Sequence, residues 1–328
     1  MRMIRALKTV NYKLLAAVFA TMLLPTIYQT VRIYFLGDLP SDSGINIASQ
    51  LSWVNLFYEV VQEALILPLF FLLGKSLSDK AEFANKVRTG LAVTAGIYLI
   101  VSVIIIACAK PLVVLMAQDP SLIRATTDYV RLETIAALFS TLWRFMTLVL
   151  VTLKKDAYMY IVLGVQMVLS VLLDTFLIST LPVSANMGVN GIAVTNIIVN
   201  FIILTIACCL LQREGIRLFA KEKWRFAWLK EWFKVGKFSG LESLLRNVVF
   251  MVMVVRMVNL VSEQGNYWVA NNFIWQWLLL PSLALADVVK KEVAVIRDNV
   301  HNITLNCLRL NTNLSHSLLP SDHDSTSL

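Results

Sequence analysis

Residues 166–180 read QMVLSVLLDTFLIST, an almost wholly apolar stretch with one carboxylate, Asp174, near its middle. Whether that acid sits in a soluble core or in hydrocarbon decides the fold. The surrounding composition answers it. The 328 residues are 58% hydrophobic and only 15% charged, with a mean hydropathy of +0.70. Soluble domains of this length carry more charge.

The apolar residues fall in eight long blocks: 14–36, 45–73, 90–117, 130–153, 157–181, 188–211, 239–262 and 266–290. A helix crosses a bilayer with roughly 20 residues, so each block is long enough to span. A large soluble helical protein is the competing reading; buried soluble helices are seldom this long and this uniformly apolar.

Charge orients the spans. Arg2, Arg5, Lys8 and Lys13 precede the first; GDLPSDSG after it has no basic residue. Lys75, Lys80, Lys86 and Arg88 follow the second, only Arg124 follows the third, and Lys154 and Lys155 follow the fourth. TLPVSANM after the fifth has none, and the loop after the sixth holds eight, from Arg213 to Lys237. SEQGN after the seventh has none, and Lys290 and Lys291 follow the eighth. This alternation places a multi-pass chain in the cell membrane with both termini in the cytoplasm. It also accounts for the net charge of +8, which is therefore no footprint of a nucleic-acid partner. The expected partners are the lipid bilayer and a small-molecule substrate.

Several chemistries are excluded. The basic N-terminus precedes an apolar run too long for a cleaved signal. No CxxC motif occurs, and all three histidines (His301, His316, His323) lie beyond residue 300. Neither a zinc site nor a disulfide framework is supported. No phosphate loop, nucleophile elbow or HExxH is present, and the loops are too short to cluster acids and bases. No enzyme activity and no cofactor are expected.

The first span, KLLAAVFATMLLPTIYQTVR (13–32), aligns with the seventh, KFSGLESLLRNVVFMVMVVR (237–256), at a constant offset of 224 residues. Six spans separate the copies, so the repeat is parallel, as in carriers built from two halves.

PLVVLMAQDPSLIRATTDYVRL (111–132), VLSVLLDTFLIS (168–179), MGVNGIAVTNIIVN (187–200) and ALILPLFFLLGKSLSDKAEFANKVRTG (64–90) resemble, in order, segments of the multidrug and toxic compound extrusion (MATE) family. The resemblance covers about residues 11–290. It implies an all-α polytopic carrier of two six-helix lobes, exporting bulky amphipathic or cationic compounds against protons or sodium. The domains expected are a six-helix lobe at 1–212, a basic interfacial linker at 213–238 and the first two spans of a second lobe at 239–290. A polar, disordered tail at 291–328 completes the division. A lipid-linked oligosaccharide flippase of the same superfamily, or a non-transporting scaffold or broken transporter, are the alternatives.

The resemblance gives Asp174 a role in proton or cation coupling, at a cavity in the first lobe. A plain helix–helix lock is the other reading. Two positions depart from the family pattern. Arg32 in TVRIYFLG stands where many members carry a second acid, and Ser170 stands where an Asn often precedes the span-five acid. Arg32 and Asp174 lie at ~6 and ~9 Å from the same end of their spans. Opposite charges at matched depth in hydrocarbon predict an ion pair, with Asp174 clamped ionised.

A second charged layer is expected deeper. Glu59 and Glu63 share one helix face. Arg144 falls at a similar depth, ~21–27 Å from the same surface, and is expected to contact one of them. The spare glutamate would then carry the proton. Thr195, Asn196 and Asn200 are expected to line the cavity with Gln29, or else to make interhelical hydrogen bonds. Trp224, Trp228 and Trp232, four apart in the basic loop, read as an interfacial aromatic stripe.

The repeat length bears on the end of the chain. Only 91 residues follow Lys237, room for two spans of a second six. The expectation is an incomplete carrier, with Arg246 and Arg256 left to face lipid or another subunit.

Overall fold

The computed structural model describes residues 12–38, 43–153, 155, 157–218, 223–261, 263–286 and 288. Arg2, Arg5, Lys8, Lys154, Lys221, Lys290, Lys291 and the tail at 291–328 lie outside the described residues, and so do the expectations placed on them. All regular structure among the described residues is helical: α1 (Tyr12–Gly37), α2 (Ser43–Ser49), α3 (Leu51–Gly74), α4 (Lys80–Leu115), α5 (Ile123–Thr152), α6 (Ala157–Leu177), α7 (Val189–Arg213) and α8 (Leu229–Phe250). A π-helical stretch, Met251–Val255, joins α8 to α9 (Arg256–Leu260). α10 (Gln264–Asn272) runs into a second, Phe273–Leu278.

Among the described residues, five stretches are long and apolar enough to cross a membrane: Lys80–Leu115, Ile123–Thr152, Ala157–Leu177, Val189–Arg213 and Leu229–Leu260. α1 and α3, of 26 and 24 residues, have the necessary length as well. The chain is an all-α polytopic membrane protein.

The boundaries differ from the sequence reading for local reasons. α4 starts ten residues before the expected span because Asp79 caps it, its carboxylate accepting from the Ala81 and Glu82 amides at 2.9 and 3.1 Å. Lys80, Lys86 and Arg88 are therefore helical rather than in a loop. The expected second span breaks at Gln50, whose amide bonds the Ile47 caryonyl oxygen three residues back. The eighth span is not continuous either. Pro281 has no N–H to return to the turn before it, and the helix bends at residue 279.

Residues Leu23–Gln276 form one compact unit. Within it, half of the apolar window of α5 is buried, against 17–33% for the other spanning helices, so α5 is the central element. It packs on α3, α4 and α7, with α6 against α7. Its hydroxyls are satisfied internally: Thr127, Thr134 and Thr141 each donate to the carbonyl four residues back at 2.7–3.0 Å. The other unit, Met1–Met22 with Trp277–Leu328, holds a small buried cluster of Val18, Ala284 and Val288.

α8 lies along α3. The contact is made by two small residues one turn apart in GKFSG. A Cβ at Gly236 would collide with the Ala64 carbonyl, and one at Gly240 would come within 2.7 Å of the Ala64 Cβ. Small residues at this spacing let helix backbones approach where no hydrophobic drive exists between helices. Trp232, fully buried, then donates to the Leu65 carbonyl at 2.7 Å.

This packing corrects one expectation. The tryptophans do not form one interfacial stripe: Trp232 is in the core, Trp228 stacks on it at 5.1 Å and donates to Thr89, and only Trp224 is exposed. The two arginines stay exposed, and each also has a partner within the chain. Arg246 holds carboxylates of α3, and Arg256 donates to the Leu115 carbonyl at 3.1 Å.

At the end bearing the 116–122 turn, a buried amide network ties three segments. The Gln50 and Asn259 carboxamides pair reciprocally at 2.9 and 3.1 Å, and Gln50 also donates to Gln118 at 3.2 Å. Beside it, hydrogen bonds from Ser121 hold the exposed Asp119 carboxyl below the usual aspartate range.

We expect Gly240→Leu to separate α8 from α3. Overpacking of this kind costs about 1–3 kcal/mol. A lowered thermal unfolding midpoint of the purified chain, with Trp232 quenched more readily by a soluble quencher, is the measurement that checks it.

Candidate functional site

α1 and α6 bring the two predicted charges together. Arg32 Nε donates to Asp174 Oδ2 at 2.8 Å, and Nη2 donates to Oδ1 at 3.3 Å. The carboxylate is 1% exposed and the guanidinium side chain 12%. A bidentate guanidinium–carboxylate pair fixes both planes and is the strong form of this contact. The Tyr28 ring lies 6.0 Å from the guanidinium, one turn earlier on α1. Ser170, one turn before Asp174, is buried on the same face of α6.

Arg32 lines a cavity of about 500 Å³ within the Leu23–Gln276 unit. Asp174 and Ser170 are not in its lining; the guanidinium stands between the aspartate and the open space. The cavity wall is rich in carboxamides: Gln29, Asn55, Gln62, Gln166, Asn196 and Asn200, joined by Asn271, Asn272 and Gln276. Gln276 donates to Gln29 and, at 2.9 Å, to Asn272. Trp143 donates to Asn200 at 2.9 Å.

Glu133 of α5, absent from the sequence expectations, is the lining's carboxyl group. It is 4% exposed. Asn196 donates to it at 2.7 Å, and Tyr129, one turn earlier on α5, interacts with it. Its bonded partners are thus neutral, although it lies within the field of Arg32. An acid inside an apolar span is a signal in itself. The expected span, 130–153, contains Glu133 three residues from its start. α5 begins at Ile123, so the acid lies ten residues, or ~15 Å, along it.

Gln29, Asn196 and Asn200 line the cavity as expected, but Thr195 does not. It sits about 100° around α7 from Asn196 and is fully buried. The deeper layer also differs. Arg246 Nη2 holds Glu59 at 3.2 Å and Glu63 at 2.8 Å, so Arg144 contacts neither. Arg144 instead donates to Gln62 at 3.4 Å and lies 5.9 Å from the Trp143 ring. The reason is helical: Glu59 and Glu63 share the α3 face that meets α8, while Gln62 is turned toward α5. With both glutamates on one guanidinium, neither is spare.

Removing one member of a buried pair strands the other charge, at a cost of about 3–5 kcal/mol. We expect Arg32→Gln to lower the thermal midpoint of the detergent-purified chain markedly, and Arg32→Gln with Asp174→Asn to recover more than half of that loss. Equal loss in single and double variants would show that the charge pairing is not what matters.

No protein-family model matches the chain, and no curated protein is significantly similar to it. Solved structures do match. One called protein A superposes with a TM-score of 0.69 at 15% identity, over 86% of this chain and 64% of that one. A mutant of the Vibrio cholerae MATE transporter VcmN gives 0.67 at 16% identity, over 83% and 63%. A MATE in complex with Br-NRF gives 0.51 at 16% identity, over 84% and 66%. The chain thus spans less than two thirds of the length of each structure it matches. What it shares with them over that length is the architecture: this chain has a MATE-like fold.

Proposed function

We propose that the chain carries organic solutes out across the cell membrane by MATE-type secondary transport, with Glu133 as the group that takes and releases the coupling proton. The observation that carries this reading is how the buried acids are bonded. Arg32 and Glu133 line the cavity, Asp174 lies behind Arg32, and the lining's second guanidinium, Arg144, donates to Gln62. Asp174 is held by two bonds to Arg32, while Glu133 is bonded to neutral groups. In a medium that penalises a charge without a bonded counter-ion, Glu133 is the acid suited to hold a proton.

Proton coupling suits this arrangement better than sodium. A bound sodium ion needs several oxygen ligands, and the guanidinium already occupies both Asp174 oxygens. The solute would be an amphipathic compound with hydrogen-bonding groups, because the wall offers many carboxamides and its carboxyl group is assigned to the proton. Pockets of this size and polarity hold drug-sized molecules.

A second reading within the same superfamily, flipping of a lipid-linked oligosaccharide, draws on one feature of the wall. Two guanidinium groups, Arg32 and Arg144, face the cavity alongside the amides. Growth of a drug-sensitive host on a dye panel separates the two, since flipping confers no dye resistance.

Inverted vesicles containing the full chain provide the test of coupling. We expect Glu133→Gln to reach the membrane at the wild-type level and to lose proton-driven dye transport by about a hundredfold or more, the low end of the usual scale for a proton-transfer group. Transport at the wild-type rate in this variant would refute the assignment of Glu133.

A further inference from the structure

Arg144 stands apart from the other charged groups of the cavity wall. Arg32 is engaged by both Asp174 oxygens, and Glu133 accepts from Asn196. Glu59 and Glu63 of α3 are held by Arg246. Among the described residues Arg144 makes one hydrogen bond, from Nη1 to Gln62 at 3.4 Å. That is a long contact to a neutral group, for a side chain with several charged donors. Arg144 is exposed, yet it belongs to a membrane-spanning helix and lies eight residues, or ~12 Å, before the end of α5. The space it meets is the cavity whose wall it forms. A guanidinium at that depth is tolerated beside water or a counter-ion, and among the described residues no carboxylate pairs with it.

The groups around it are arranged for recognition. The Trp143 ring, 5.9 Å from the guanidinium, is itself fixed by its bond to Asn200 at 2.9 Å. Ser140, one turn earlier on the same face of α5, lines the cavity and makes no side-chain hydrogen bond among the described residues. Glu133 is eleven residues, or ~16 Å, away along α5, so the two ends of the cavity are distinct.

We propose that Arg144 determines the solute class by binding a carboxylate, so that the cavity selects amphipathic acids and zwitterions. This deepens the export reading, on which it rests for the direction of movement. With the proton on Glu133 and Asp174 locked to Arg32, the open charge of the cavity is the positive one on Arg144. A guanidinium fork matches the two oxygens of a carboxylate. Charge matching favours this group over a diphosphate. One guanidinium balances one negative charge, and the wall's other guanidinium is already held by Asp174.

The test uses the full chain purified in a neutral detergent and a rhodamine dye in two forms, one with a free carboxylate and one with that carboxylate methylated. Fluorescence polarisation at neutral pH, against empty micelles of the same detergent, gives the two affinities. We expect the carboxylate form to bind more tightly by roughly tenfold, the scale of a hydrogen bond to a charged group. Arg144→Gln should bring the two affinities together. Arg144→Lys keeps the charge but loses the planar fork, and should keep part of the difference. Equal affinities in the wild-type chain, or an equal loss for both forms in Arg144→Gln, would overturn the assignment. Proton-driven uptake into inverted vesicles separates it from the export reading. Uptake of both forms at one rate would keep export and overturn the role of Arg144, whereas carboxylate-selective binding without uptake would keep the site and overturn export.

Discussion

The bidentate contact between Arg32 and Asp174 sets the chemistry of the cavity. A carboxylate that is 1% exposed within an apolar helix is tolerable only beside a compensating charge. The partner here is a residue of the protein itself, always protonated and held by two hydrogen bonds. It therefore cannot leave during a transport cycle as a bound ion can. Asp174 becomes a fixed part of the scaffold that joins α1 to α6, and the proposed cycle places its proton on another acid.

That displacement gives Glu133 its importance. It sits on α5, the most buried of the spanning helices, and faces the cavity that Arg32 also lines. Asn196 and Tyr129 orient it without neutralising it. The helix register makes the arrangement specific. Asn196 and Asn200 are one turn apart on α7 and reach the cavity together, while Thr195, next to Asn196 in sequence, points into the helix packing. The π-helical stretch at Phe273–Leu278 carries Gln276, which bonds Gln29 on the opposite wall. Such turns shift the helical register, and here the result is a polar side chain in the cavity.

Much of this was legible in sequence because hydrocarbon is an unforgiving solvent. Spans, their alternating charge and the Arg32–Asp174 pair all follow from the cost of a lone charge there. Other features depend on which helix faces meet. Arg246 takes both Glu59 and Glu63 because Gly236 and Gly240 let α8 approach α3, and a repeat offset says nothing about that approach. The tryptophan spacing suits one helical face, yet α8 begins only at Leu229, and spacing alone cannot tell a lipid interface from the α3 backbone that Trp232 bonds. Glu133 lies within the expected span, three residues from its start, and the helix start at Ile123 places it further in.

The central claim is that Asp174 is locked to Arg32 and that Glu133 holds the exchangeable proton. Infrared difference spectroscopy of the full chain in lipid, titrated through neutral pH, reads this directly. Protonated carboxyl groups have a stretching band separate from that of carboxylates. The account predicts a titrating protonated-carboxyl band in the native protein that Glu133→Gln abolishes. A band that survives unchanged in Glu133→Gln and disappears in Asp174→Asn would contradict it.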